Sequence, residues 1–161
     1  MNGVRELLRE AIGDAKSVAV LGCGSELRGD DAAGMEIARR LSGLSGRVRV
    51  YSGSNAPENF TGEIKKFRPD ALLIFDAARM GRQPGEAAVI SPDEMDGVSF
   101  STHTLPLKIM AEYLRREIGC RISVIGIEGA DYMFWAEMSP QVAAAVDSVV
   151  SELNELLYMI L

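Results

Sequence analysis

The fold class follows from residues 18–34, which have the sequence VAVLGCGSELRGDDAAG. The run begins with four apolar residues, Val18 to Leu21, and a short apolar run bounded by glycine is typical of a buried strand. A polar loop with two aspartates comes next. Apolar residues then recur at helical spacing as Ala33, Ile37 and Leu41, and Gly43 follows the last of them. The segment therefore predicts a strand, a loop and a helix in succession.

The same alternation continues along the chain. Further strands are predicted at residues 48–51, 71–75, 87–90 and 122–127, and helices at residues 4–12, 58–67, around 109–114 and after Ser139-Pro140. The uninterrupted apolar run at 71–75 is typical of a strand that is covered on both faces. Together these patterns predict an α/β fold with three layers, in which helices cover both faces of a mostly parallel twisted sheet.

Size and composition exclude several classes of protein. A chain of 161 residues is the usual length of one domain, so we expect a single domain over residues 1–161 and a monomer. The net charge of -6 argues against nucleic acid as a partner, because nucleic-acid binding depends on Lys and Arg. The chain has neither a signal-peptide core nor a run of roughly 20 apolar residues, which predicts a cytoplasmic protein without membrane insertion.

Candidate site residues follow the predicted strands. Asp30 and Asp31 lie in the loop after the first strand, Asp76 stands directly after residues 71–75, and His103 precedes a predicted helix. In open parallel sheets, ligands bind outside the carboxyl ends of the strands. His103 is the only histidine in the chain. Two carboxylates and an imidazole form a suitable ligand set for a divalent transition metal, with coordination positions left open.

Each of these residues also has a structural interpretation. Either Asp30 or Asp31 could be a helix N-cap, which would leave the other carboxylate available, and Asp76 could close a turn. Nucleotide binding is disfavoured, because the loop lacks the third glycine of G-x-G-x-x-G and no P-loop motif is present. Cys23 and His103 could form a nucleophilic pair, but nearby carboxylates would raise the pKa of the thiol and oppose thiolate formation.

The chain resembles the hydrogenase maturation endopeptidases over nearly its whole length, from about Val18 to the last helix. The similar segments are LGCGS at 21–25, LRGDDAAG at 27–34, SNAPEN at 54–59, LLIFDA at 72–77, PGE at 84–86 and THTLPL at 102–107. Ser25 and Ala32 depart from the family, which usually has Asn and often Gly there. Because Ser and Asn both form local side-chain-to-backbone turns, we expect the loop to be retained.

The resemblance implies that Asp31, Asp76 and His103 bind nickel that is already present in a hydrogenase large-subunit precursor, and that other divalent metals can occupy the same site. It implies an endopeptidase that removes the C-terminal extension of that precursor. A non-catalytic chaperone or docking protein that senses metal with the same residues is the alternative. The chain has no HExxH motif and no evident Ser-His-Asp triad, so a conventional zinc or serine protease is not supported.

Overall fold

The computed structural model describes residues 2–44, 46–100 and 104–160. These residues form six strands, which are β1 (Val18–Cys23), β2 (Val48–Ser54), β3 (Ala71–Arg79), β4 (Ala87–Ile90), β5 (Ser99–Phe100) and β6 (Arg121–Glu128). They also form five α-helices, which are α1 (Asn2–Ile12), α2 (Ala33–Leu41), α3 (Thr61–Phe67), α4 (Thr104–Ile118) and α5 (Pro140–Tyr158). Short 3₁₀ turns at Gly29–Ala32 and Pro57–Phe60 lead directly into α2 and α3, and a third lies at Pro92–Gly97.

The sheet is mostly parallel, as the sequence predicts. Its strand order is β2-β1-β3-β6-β4, and β1, β2, β3 and β6 run in the same direction. At one edge, β4 pairs with β6 in the antiparallel sense, and the two-residue strand β5 pairs antiparallel with the end of β3. Parallel neighbours require crossover connections, and helices supply them here. The sequence pattern did not predict β5, because two residues are too few to display a period.

Helices cover both faces of the sheet. Successive side chains of a strand point to opposite faces, so alternate residues of β3 enter two different apolar clusters. Leu73 and Phe75 pack with α1, α2 and α5, whereas Leu72 and Ile74 pack with α3 and α4. Both faces of β3 are therefore buried, which explains why its sequence is an unbroken apolar run. The prediction of a three-layer α/β fold is confirmed.

The end of β3 differs from the prediction in a way that matters for the site. The sequence suggested that Asp76 stands just after the strand, but β3 continues to Arg79. The pairing with β1 ends at Phe75, which lies opposite Gly22, whereas the pairing with β6 continues through Asp76, which lies opposite Gly126. Asp76 is therefore the first residue of β3 beyond its neighbour β1. It lies within the strand, directly after the point at which the pairing of β3 with β1 ends.

The remaining boundaries agree closely with the predicted pattern. Helix α5 begins at Pro140 with Ser139 in the N-cap position, as predicted, although the Ser139 side chain makes no capping hydrogen bond. The segment predicted as a helix at residues 58–67 begins as a 3₁₀ turn and becomes α3 at Thr61. Among the helices of the described residues, none combines the length and apolar character needed to span a membrane.

Candidate functional site

Gly24, at the end of β1, lies close to both Asp31 and Asp76. A Cβ atom on Gly24 would lie 2.0 Å from the carbonyl oxygen of Asp31 and 3.5 Å from Oδ1 of Asp76. The backbone of Gly24 also has a φ of +121°, which L-residues with side chains rarely adopt. Glycine is therefore required here for two reasons, and its missing side chain leaves room for the backbone of Asp31 and the carboxylate of Asp76 beside it.

A second glycine seats α2 against the sheet. A Cβ atom on Gly34 would lie 2.3 Å from the carbonyl oxygen of Phe75 and 2.5 Å from that of Cys23. Because these are backbone atoms, they could not move aside without disturbing β1 and β3. The first turn of α2 therefore rests directly on the two strands, and the 3₁₀ turn that carries Asp31 is held at their carboxyl ends.

The carboxylate of Asp31 is buried and only partly satisfied. Its Oδ2 accepts a hydrogen bond of 3.2 Å from the N–H of Ser25, and Nη1 of Arg28 lies 3.8 Å from the same oxygen. Its Oδ1 is also buried but has no hydrogen-bond partner among the described residues. A buried carboxylate oxygen without a partner carries a desolvation cost. A cation in contact with Oδ1 would remove that cost, so the donor set fits a metal.

Asp30, the neighbour of Asp31, is fully satisfied instead. One carboxylate oxygen accepts N–H groups from Ala130 and Asp131 at 2.7 and 2.9 Å, and the other accepts the N–H of Ser139 at 2.7 Å. The Ser139 hydroxyl also donates to this carboxylate. Burial acts to raise the pKa of Asp30, but these hydrogen bonds outweigh it and leave the pKa below its ordinary value. Asp30 therefore clamps the chain between β6 and α5 to the loop after β1.

The suggestion that Asp30 or Asp31 caps a helix was wrong. Both lie inside the 3₁₀ turn Gly29–Ala32, and Ala32 occupies the N-cap position of α2. Sequence reasoning missed the clamp because the partners of Asp30 are about a hundred positions away and are mostly backbone N–H groups. No residue type marks such donors in a sequence.

Asp76 is fully buried and lies on the face of the sheet that α4 covers. Alternation along β3 puts it on the side of Leu72 and Ile74, and Leu107 of α4 packs in the same apolar cluster. His103 immediately precedes α4 in the sequence but lies outside the described residues, as do Ser101 and Thr102. Within the described part of the chain, no three His, Cys, Asp or Glu side chains form a metal-binding group. The predicted trio depends on His103.

Cys23 does not have the properties of a nucleophile. Its thiol is fully buried, and burial raises its pKa well above the ordinary value, with further increases from the charges of Asp76 and Glu58. The carboxylates therefore act on the thiol in the direction expected from the sequence. A thiolate is the reactive form of cysteine, so this environment disfavours a Cys23 and His103 pair.

The loop that holds Asp31 survives the substitution noted in the sequence. Ser25 occupies a position at which the similar family usually has Asn, and its hydroxyl accepts the N–H of Leu27 at 3.3 Å. Its own N–H donates to Asp31. Ser25 thus forms the local side-chain-to-backbone turn that was expected of it.

Comparison with known proteins identifies the family. The HycI family profile, described as hydrogenase maturation protease, matches residues 34–155, a range that contains Asp76 and His103 and begins just after Asp31. The hydrogenase 3 maturation protease of Escherichia coli K12 is 35% identical over 133 residues, which cover 81% of this chain and 85% of that protein.

Solved structures agree with this match. The nickel-iron hydrogenase maturation protease HycI from Thermococcus kodakarensis has a TM-score of 0.85 at 29% identity, covering 94% of this chain and 98% of that one. The endopeptidase HycI from Escherichia coli has a TM-score of 0.75 at 30% identity, covering 88% and 91%. These matches agree with the fold and with the loop at Gly24 that carries two aspartates. The chain therefore belongs to the hydrogenase maturation protease family and is an endopeptidase.

Proposed function

We propose that the chain removes the C-terminal extension of a nickel-loaded hydrogenase large-subunit precursor and recognises the nickel with Asp31, Asp76 and His103. Membership of the family supports the peptidase activity and the class of substrate. The observation that carries the metal-reading role is the buried Oδ1 of Asp31, which lacks a partner among the described residues and lies in the loop that borders Asp76.

The electrostatics of the pair favour a cation. Asp31 and Asp76 are both buried, and Gly24 lies close to the backbone carbonyl of the first and to the carboxylate of the second, so two acidic residues border one loop in a region of low dielectric constant. Such an arrangement is costly unless a positive charge joins it. Arg28 approaches only Oδ2 of Asp31, and at 3.8 Å it is beyond hydrogen-bond distance. The Oδ1 side remains for a metal ion carried by the substrate.

The role of the residues is first to position the substrate. Nickel in the precursor would be held by Asp31, Asp76 and His103, which fixes where the scissile peptide lies relative to the protein. An ion in that position can also polarise the scissile carbonyl as a Lewis acid and activate water. Hydrolysis breaks the C–N bond of the peptide and adds one water, which leaves a new carboxylate on the large subunit and a free amine on the released extension.

The test is to incubate the purified protein with nickel-loaded and with nickel-free precursor and to measure the released peptide by mass spectrometry. We expect cleavage of the loaded precursor only. Asp31→Asn, Asp76→Asn and His103→Ala should each lower the processing rate at least about 100-fold, since they remove groups that position the substrate. Asp14→Asn is the control, because Asp14 is exposed and precedes β1, whereas the Gly24 loop follows the other end of that strand.

Three outcomes would contradict the proposal in different ways. Equal cleavage of nickel-loaded and nickel-free precursor would show that the site does not recognise the metal. Normal processing by the folded Asp31→Asn and Asp76→Asn variants would leave these residues with a structural role alone. Binding of the loaded precursor without any cleavage would support the chaperone alternative.

A further inference from the structure

A cleft of about 200 Å³ opens beside the candidate site and is lined by Arg28, Arg79, Ser99, Phe100 and Tyr132. One of its arginines approaches a proposed aspartate ligand. Arg28 lies three residues before Asp31 and its Nη1 is 3.8 Å from Oδ2 of that residue, while Arg79 ends the strand that carries Asp76. The cleft therefore borders the loop that carries Asp31.

Both arginines are held against aromatic rings. Cζ of Arg28 lies 5.3 Å from the centroid of the Phe134 ring, and Cζ of Arg79 lies 4.9 Å from that of Tyr132. A cation over the face of an aromatic ring is attracted to it, and an arginine in that position can still donate hydrogen bonds. The two contacts therefore favour these positions of the cationic groups.

Two buried donors beside the cleft have no acceptor among the described residues. Nε of Arg28 is buried and has no hydrogen-bond partner among the described residues, and the buried hydroxyl of Tyr132 donates to none of them. No described carboxylate forms an ion pair with Arg79. The buried carboxylate of Glu128 is engaged elsewhere, since its Oε1 accepts the N–H groups of Met80 and Arg82.

We propose that this cleft binds a carboxylate group of the substrate, an inference that rests on the proposed peptidase function. Buried donors without acceptors favour a ligand that supplies acceptors, and a carboxylate is the acceptor that guanidinium groups bind in bidentate fashion. The volume of the cleft suits a single side chain or a chain terminus.

Three exposed apolar side chains directly follow the cleft residue Tyr132 in the sequence, and we call them the rim. Met133, Phe134 and Trp135 are exposed by 71%, 65% and 79%, although large apolar side chains are usually buried. The backbone N–H of Trp135 donates to the carbonyl oxygen of Leu27, so this rim is attached to the loop that carries Arg28. Apolar groups around a polar contact exclude water when a partner docks, which strengthens the contact. Trp135 is the only tryptophan and therefore reports on the rim.

The experiment measures kcat and KM for processing of nickel-loaded precursor by Arg79→Gln. We expect KM to rise about tenfold, equivalent to about 1.4 kcal/mol, with kcat unchanged, because Arg79 contributes to binding and lies outside the proposed metal ligands. The KM of Arg79→Lys should lie between those of the wild type and Arg79→Gln, since lysine retains the charge without the bidentate geometry. Arg82→Gln is the matched control, because Arg82 is an exposed arginine in the same segment that pairs with Glu86 at 3.8 Å.

A second measurement is independent of catalysis. A tryptophan-free synthetic peptide of the scissile region and extension is titrated against the protein, and the fluorescence of Trp135 is followed. Three forms are compared, namely the parent peptide, a form with a C-terminal amide, and a form in which Asp and Glu are replaced by Asn and Gln. The form that loses about tenfold in affinity identifies whether the carboxylate is terminal or belongs to a side chain. Arg79→Gln should abolish that difference.

The outcomes separate this inference from the proposed function. If the wild-type protein cleaves precursor but all three peptides bind equally, or Arg79→Gln matches Arg82→Gln in KM, the cleft does not bind a carboxylate. If the wild-type protein fails to cleave loaded precursor while the parent peptide still binds more tightly than its amide forms, the peptidase function fails and the carboxylate site stands.

Discussion

Asp30 and Asp31 are identical residues with opposite surroundings. Every oxygen of the Asp30 carboxylate accepts hydrogen bonds from the chain between β6 and α5, whereas Oδ1 of Asp31 is buried without a partner among the residues described. The first arrangement stabilises the folded chain, and the second leaves binding capacity for a ligand. One turn of 3₁₀ helix thus contains both a structural carboxylate and the carboxylate that we propose to bind metal.

At the same scale, Cys23 allows a test of the nucleophile alternative. Because its thiol is buried and its pKa is raised, we expect neither Cys23 nor the buried Cys120 to react quickly with a thiol reagent such as DTNB in the native protein. Both should react after unfolding in denaturant, which serves as the internal control. Cys23→Ala should keep processing activity. Loss of activity in a folded Cys23→Ala protein would make the thiol a reacting group.

At the scale of elements, the contact between α2 and the sheet determines where Asp31 lies. A methyl group on Gly34 would meet the carbonyl oxygens of Phe75 and Cys23, so Gly34→Ala must displace the helix or the strands. We expect this variant to lose about 1 to 3 kcal/mol in the free energy of unfolding, and also to lose processing activity through displacement of the Asp31 turn. Denaturant titration and the precursor assay measure the two effects.

Gly62 provides the matched control for that prediction. It is an exposed helical glycine in α3, and a Cβ atom added there would meet nothing within 4 Å. Gly62→Ala should leave activity unchanged and stabilise the protein by about 0.5 to 1 kcal/mol, because alanine loses less conformational freedom in a helix. If Gly34→Ala behaved in the same way, the close approach of α2 would have no energetic consequence.

The elements themselves were largely predictable, because each is defined by local periodicity. The strand at residues 87–90 and the helix at 33–41 agree with the pattern, and so does the start of α5. The end of β3 was not predictable, since the strand continues past Asp76 through pairing with β6 and β5, which are distant in the sequence. The sequence also contained no signal for the contact of Arg79 with Tyr132, because cation–π partners follow no fixed spacing.

At the scale of the whole molecule, Asp30 makes stability depend on pH. Its pKa in the folded state is below its ordinary value of 3.8, so its contribution to stability is present at higher pH. The contribution is lost as the pH falls through the folded-state pKa. We expect Asp30→Asn to lower the free energy of unfolding by about 2 to 3 kcal/mol near neutral pH, because an amide cannot accept hydrogen bonds on both arms.

The sign of the pH effect can be checked by denaturant titration of both proteins over a series of pH values. The difference between wild type and Asp30→Asn should be constant above the ordinary aspartate pKa and should shrink as the solution becomes more acidic. Asp14→Asn, on an exposed residue, should show no such trend. A difference that grew with acidity would mean that the carboxylate is not held in its charged form.

The clamp also has a consequence for how such proteins can diverge. The residues from 129 to 139 carry the exposed apolar side chains, and they join the loop after β1 through hydrogen bonds to the Asp30 carboxylate, the Asp30 N–H and the Leu27 carbonyl. Most of these bonds use main-chain groups of the segment, so its side chains can vary without breaking them. A chimera that carries residues 129 to 139 from another member of the family should fold with Asp30 and Asp31 in place. We expect it to take on the substrate preference of the protein that supplied the segment.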